Sequence, residues 1–404
     1  MSERRIGRWP ALAGGVCLVL AGASGCQEGS GRLVVVGGVE FSAPPGSQAP
    51  HLAVADGRAL LSWLEPAGEG RHALRTALRE PDGSWQPRGT VVVGDSLFAN
   101  WADIPSVEPL PDGTWLAHWL RRVAAGPYAY HVALAVSPDG GGSWGAPFRP
   151  HDDLSETEHG FVSLVPWNDG AAGVWLDGRG TANDGPMTLR FTTIASSGAA
   201  APDIEVDPRV CDCCQTALAR TTRGLVVAYR GRTDGEIRDI AVRRFEDGRW
   251  SDAVLVSEDG WHYPGCPVNG PAVAARGDTV AVVWFTAAGG TPRVYAAFST
   301  DGGAAFGPRI QVDDGRPAGR VDVVWWHETA LVSWIEETAD AGDVRVREVR
   351  TTGSRTGSTV VAATQASRAA GFPRLAAVGN AVVLAWTQPG PDGGVRAAAL
   401  TRAP

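Results

Sequence analysis

A strand ending in an aromatic residue recurs seven times along this chain, and that repeat restricts the fold more than any other feature. The endings are L-L-S-W at Trp63, L-A-H-W at Trp119, A-G-V-W at Trp175, V-V-A-Y at Tyr229, A-V-V-W at Trp284, L-V-S-W at Trp334 and V-L-A-W at Trp386. They lie 56, 56, 54, 55, 50 and 52 residues apart. A fixed period of this size, with strands inside each unit, reads as a propeller or solenoid. Each unit opens with a short apolar strand, as at 51–55, 161–165 and 271–275. A tight turn follows (Asp56-Gly57, Asp112-Gly113, Asp169-Gly170), then the aromatic strand, a polar loop, and a third strand such as 293–299. A short fourth strand, as at 310–312, completes the four antiparallel strands of one blade.

The seventh unit stops after its third strand, and a surplus strand, Leu33-Val-Val-Val36, precedes the first unit. Pairing these two closes the ring and removes the exposed edges that invite aggregation. The expectation is therefore an all-β chain, with one propeller of seven four-stranded blades over residues 31–404, closed by the N-terminal strand.

Residues 1–26 read as a targeting segment. Arg4, Arg5 and Arg8 precede a short apolar run from Ala11 to Ala21, and Ala23-Ser24-Gly25-Cys26 follows. That tetrad resembles the lipobox of bacterial lipoproteins, which implies export and lipidation of Cys26, with the chain facing the periplasm or the cell surface. A plain secretory signal is the alternative. The formal charge of −8 and the lack of a basic cluster argue against a nucleic-acid partner. The chain has no lysine, which excludes Walker-type and Schiff-base lysine chemistry.

Strand direction alternates within a blade, so loops alternate between two faces. The tight Asp-Gly turns share one face. The segments leading into each blade share the other with the loops after the second strands, and loops on a rigid scaffold commonly carry function. Carboxylates suited to proton transfer on that face are Asp103, Asp177, Glu236 and Asp239. Ligand-binding candidates are Trp101, His159, Arg179, Arg230, Arg238, Asn269, Arg320, Asp322 and Arg374. Arginine holds a carboxylate or sulfate through paired hydrogen bonds, so a polar or anionic ligand is expected in a funnel over the central channel. Trp101 and Trp261 are placed to stack on a sugar. For each residue the plain alternative is an ion pair or a brace between blades.

Four cysteines fall in neighbouring lead-in segments: Cys211, Cys213 and Cys214 in C-D-C-C, and Cys266 in G-C-P-V-N-G-P. Successive blades are neighbours, so Cys266 is expected beside the cluster. Either a disulfide or a soft-metal site for Cu(I) or Zn fits an all-sulfur set.

The turns Ser137-Pro-Asp139-Gly140-Gly141-Gly-Ser-Trp144 and Ser299-Thr-Asp301-Gly302-Gly303-Ala-Ala-Phe306 fit S-x-D-G-G-x-x-[WF]. This resembles the Asp-box, or BNR repeat, of sialidase-like propellers. Further stretches, N-W-A-D, T-E-H-G-F-V-S, W-L-D-G-R, C-D-C-C-Q-T, E-I-R-D-I and C-P-V-N-G-P, resemble exported bacterial proteins labelled sialidase-like. The resemblance implies exo-glycosidase chemistry on a glycan, with an arginine triad, a Tyr–Glu nucleophile pair and an Asp acid/base. Arg179, Arg238, Arg320 and Arg374 are the arginines for the triad, and Glu158 joins the carboxylates. Tyr229 and Tyr263 are the tyrosines expected near that face. The sequence departs from the family in lacking the R-I-P motif and in counting seven units, where a sialidase has six blades. A six-bladed sialidase propeller is thus the alternative fold. The alternative function is a non-catalytic envelope propeller that binds a glycan or another envelope protein, with Cu or Zn at the cysteines and membrane contact through the lipid alone.

Overall fold

The computed structural model describes residues 32–339 and 341–403; Cys26 and the targeting segment lie outside the described residues. Seven sheets form a ring, each running outward from an innermost first strand. The first three blades begin at Gln48–Ala55, Ser106–Pro109 and His159–Trp167. The fourth, fifth and sixth begin at Ala217–Arg220, Ala272–Arg276 and Pro317–Trp326. The seventh holds Arg374–Val378, Ala381–Gln388 and Gly394–Arg402, and Leu33–Ser42 is its outer strand. Seven blades with N-terminal closure are therefore observed, and the six-bladed alternative is excluded.

Closure runs in antiparallel register from Leu33 opposite Arg402 to Val36 opposite Ala399, and resumes at Phe41 opposite Ala397. The break is a bulge at Gly37 and Gly38, whose φ of 67° and 80° suit glycine. Beyond the bulge Phe41 packs against Trp63 and Trp85 of blade 1, and Glu40 takes an ion pair from Arg79 at 2.8 Å. The closing strand is thereby fixed to the first blade as well as to the last.

The aromatic repeat has a structural meaning. Trp63, Trp175, Trp334 and Trp386 each donate the indole N–H to the side chain two residues on: Glu65, Asp177, Glu336 and Gln388. Alternate residues of a strand share a face, so each pair buries a large ring and satisfies its one donor.

Blade 2 departs from the expected four regular strands. Its outer position is taken by a segment paired to the third strand through a single bridge, Leu134 to Phe148. Pro147 and Pro150 flank Phe148 and cannot donate to a ladder. The S-x-D-G-G turns fold alike on the opposite face. Asp139 accepts from Ser143 N–H at 2.8 Å, and Asp301 from Ala304 and Ala305 N–H at 3.0 and 3.1 Å.

Candidate functional site

Lead-in residues brace successive blades. Asp103 accepts the Phe161 N–H at 2.8 Å, Ser163 that of Leu218 at 3.0 Å, and Gln215 that of Gly270 at 2.9 Å. Asn269 accepts the Arg320 N–H and Asp322 that of Leu375, both at 2.8 Å. One such bond crosses every interface from blade 2 to blade 7. It satisfies the N–H of a buried residue in, or just before, the innermost strand of the next blade. Asp103, Asn269 and Asp322 thus hold the ring together. The cost at Asp103 is electrostatic: burial, opposed by the Phe161 N–H and reinforced by Glu158, pushes its carboxyl up to about 8.

This shift has a measurable consequence. The folded-state value lies above the unfolded one of about 3.9, so folding favours the neutral acid. Its stabilising contribution is complete below about pH 4 and is lost as pH rises through about 8. Asp103→Asn keeps an oxygen for the Phe161 N–H and removes the charge. The variant should therefore show a flatter dependence of its urea midpoint on pH between about 4 and 8 than the parent. Equal slopes would show that Asp103 does not carry the effect.

The other sequence candidates fall into separate networks. In blade 3, Asp177 is buried and binds the Arg179 Nε and Nη2, each at 2.8 Å, while Arg179 also reaches Asp203. Burial works against the Asp177 charge, but Arg179, His159 and Trp175 outweigh it and hold the carboxyl at about 2. His159 lies between Asp153 and Asp177 at 3.0 and 3.6 Å and stacks on His151.

In blade 4, Glu236 takes Arg232 at 2.8 Å and Arg238 at 2.6 Å. Hydrogen bonds from Arg232, then Arg238, overcome burial and lower its carboxyl. Asp239 accepts the N–H groups of Gly260 and Trp261 at 2.9 and 3.0 Å. Arg230 is buried and donates to the carbonyls of Asn269, Arg238 and Phe285. Arg320 donates to the Ser367 and Ala366 carbonyls, and Arg374 lies 3.8 Å from Asp322 in the central channel.

One placement corrects the sequence reading. Trp261 is buried against Phe285 and the Arg230 guanidinium, so no face is open to a sugar. Tyr229, the aromatic of its repeat, packs inside blade 4 as that position requires, with its hydroxyl on Asp207. The tyrosines missed were Tyr128 and Tyr130, at the end of the loop after the second strand of blade 2. The alternation of faces would have placed them.

The structure instead assembles a cleft of about 340 Å³ from five blades' lead-in and loop residues. Asn100, Trp101 and Tyr128 line one side, Glu158 and Phe161 the middle, and Asp212, Cys213, Cys266, Val268 and Arg368 the rest. Trp101 stacks on Phe372, with the Arg320 and Arg368 guanidiniums 5.3 and 5.8 Å from its ring. Arg368 is exposed. Glu158 is half-buried and accepts the Tyr130 hydroxyl. Burial, opposed by that hydrogen bond and aided by Asp212, raises its carboxyl to about 7. Tyr130 is itself buried against Phe98, and its phenol is pushed well above the usual range by burial and by Asp103 and Glu158. Tyr130 and Asp103 close around Gly160, where an added methyl would lie 2.1 Å from Asp103 Oδ2 and 2.9 Å from the Tyr130 ring. Glycine is the residue this crowding requires.

Cys213 and Cys266 form a disulfide across blades 4 and 5, with Cα atoms 6.0 Å apart, and Cys211 and Cys214 are free and buried. The expected neighbourhood of Cys266 is observed, and one disulfide forms from the four.

The fold and its cleft define a seven-bladed β-propeller with an open cleft built from its lead-in segments. No family model matches the chain, and no curated protein matches it. Among solved structures, an ulvan lyase of polysaccharide lyase family PL25 has TM-score 0.60 and 12% identity, covering 91% of this chain and 95% of that one. The complex of such a PL25 lyase with -[GlcA(1-4)Rha3S]- has TM-score 0.57 and 11% identity, at the same coverage. A protein of unknown function from Dyadobacter fermentans has TM-score 0.54 and 15% identity, covering 92% and 99%. A Hadza microbial sialidase has TM-score 0.46 and 13% identity, covering 82% and 74%. At these identities the three matches with TM-scores above 0.5 show a likeness of fold alone.

Proposed function

We propose that this protein binds and processes an acidic glycan in the cleft, with Glu158 as the proton-transfer group. The observation that carries the reading is a carboxyl raised to about 7, lining an open cleft beside Trp101 and Arg368. A group titrating near neutrality can both accept and return a proton there. Trp101 and Tyr128 offer faces for sugar rings, and Arg368 suits a carboxylate or sulfate. A structural neighbour bound to a glucuronate–sulfated rhamnose unit is consistent with this ligand class. Tyr130 acts as a positioning residue, because it is buried and turns its hydroxyl to Glu158. Sialidase-type hydrolysis would require that hydroxyl to reach the sugar, and its burial opposes this. The Asp-box reading of the S-x-D-G-G turns belongs to the same proposal, as scaffold on the opposite face.

The test is a panel of uronate-containing, sulfated and sialylated polysaccharides, scored for binding, for new reducing ends and for unsaturated uronates. Binding without cleavage would favour the non-catalytic alternative. Neither binding nor cleavage of any acidic glycan would remove the proposal.

We further propose that the chain is exported and lipid-anchored at Cys26, as its basic start, apolar run and A-S-G-C tetrad suggest. Metabolic labelling with a fatty-acid analogue should mark the parent and not Cys26→Ser. Equal labelling of both would overturn it.

A further inference from the structure

The Sγ atoms of Cys211, Cys213 and Cys214 lie within 4.8 Å of one another. Cys211 and Cys214 are buried, Cys213 is half-buried and Cys266 is exposed. The one carboxylate in the run, Asp212, turns away to Arg232 at 3.0 Å. The donor set is therefore sulfur alone, and soft thiolates select soft ions over hard ones.

A second observation concerns charge. Arg230 is buried, yet its guanidinium donates only to carbonyls and pairs with no carboxylate among the described residues. A buried cation without an anion is costly. The Cys211 backbone N–H donates to the Arg230 carbonyl at 2.9 Å, so the cluster is seated on that residue's strand. The thiols thus sit on the strand of a buried cation that has no carboxylate partner among the described residues.

We propose that Cys211, Cys213 and Cys214 form a three-thiolate site for Cu(I), closed while Cys213 is joined to Cys266. Opening requires two electrons and two protons from an external dithiol, which becomes a disulfide while Cys213 and Cys266 become thiols. Cu(I) then displaces three thiol protons, and the complex carries two negative charges on the loop seated on the Arg230 strand. Three sulfurs on one loop suffice for Cu(I). A structural zinc site takes four ligands and would have to recruit the exposed Cys266.

Cys266→Ser separates these cases, because it frees Cys213 without reductant and alters an exposed position. Full-length protein is loaded anaerobically with Cu(I) against a competing chelator, and retained metal is measured alongside thermal unfolding. Cys266→Ser should retain about one copper ion per chain without reductant, and the oxidised parent far less until a dithiol is added. Adding Cys211→Ser should weaken retention by about tenfold or more, since even outer-shell changes at metal sites cost that much. If Cys266→Ser unfolds, the dithiol-reduced parent carries the same expectation. Folded Cys266→Ser that retains no copper, or that retains it equally without Cys211, overturns the site. Zinc held by the reduced parent but lost in Cys266→Ser, with no copper retained, would likewise replace the assignment with a four-thiolate one.

Discussion

Deleting residues 32–42 is expected to abolish cooperative folding of the whole ring. This segment supplies the outer strand of blade 7 and is also tied to blade 1. Leu33 is buried against the Trp326 cluster, and Phe41 packs between Trp63 and Trp85. Fully burying such a side chain contributes about 1.5–3 kcal/mol, which applies to Leu33, while the half-buried Phe41 contributes less. Losing two of them, together with a ladder of backbone hydrogen bonds, approaches the roughly 5–15 kcal/mol by which a whole domain is stable. The deletion also leaves Gly394–Arg402 as a bare edge, so association of the damaged chains should follow. Thermal unfolding and light scattering read both effects. A truncated chain that stays monomeric and melts within a few degrees of the parent would show that the ring does not depend on this strand. Glu40→Ala, which removes only the Arg79 pair, should by contrast be mild, since partly exposed ion pairs contribute about 0–1 kcal/mol.

The same strand shows why the architecture was legible from the sequence. An aromatic at the end of each second strand is a packing requirement repeated in every blade, so it survives as a period. An unpaired third strand at one end and a spare strand at the other are topological facts that a sequence displays directly. Blade 2 escaped because its outer segment has prolines around Phe148 and only one bridge, although the turn before it is regular.

The site was legible only in part, and Asp177 shows the reason. Its place in W-L-D-G-R looked like chemistry, yet W-L-E at 63–65, W-I-E at 334–336 and W-T-Q at 386–388 make the same indole bond. The second-strand repeat already contained the structural explanation for its acceptor. Asp103, Asn269 and Asp322 similarly serve braces that recur between blades, but their residue types vary, so no period reveals them. Glu158 was visible as a carboxylate on the correct face. What set it apart was Tyr130, 28 residues earlier and one blade away, and no local motif records that contact.

On the proposed reading, Glu158→Gln should abolish glycan processing while leaving the ring intact. Glutamine preserves the size of the side chain and an oxygen facing Tyr130, but it cannot gain or lose a proton. Removal of a positioned acid or base typically costs about 10²–10⁴-fold in rate, and binding should change far less than turnover. Tyr130→Phe supplies the finer test. The Tyr130 hydroxyl stabilises the ionised form of Glu158, so its loss should move the carboxyl further above about 7. The Glu158 limb of the pH–rate profile should then shift to higher pH, and the catalytic rate should fall more than the apparent substrate affinity. A residue that mattered only for packing would lower stability and leave that limb in place. Full activity in Glu158→Gln would exclude it as the proton-transfer group. An unchanged limb in folded Tyr130→Phe would remove Tyr130 from its positioning role while leaving Glu158 to be judged on its own variant.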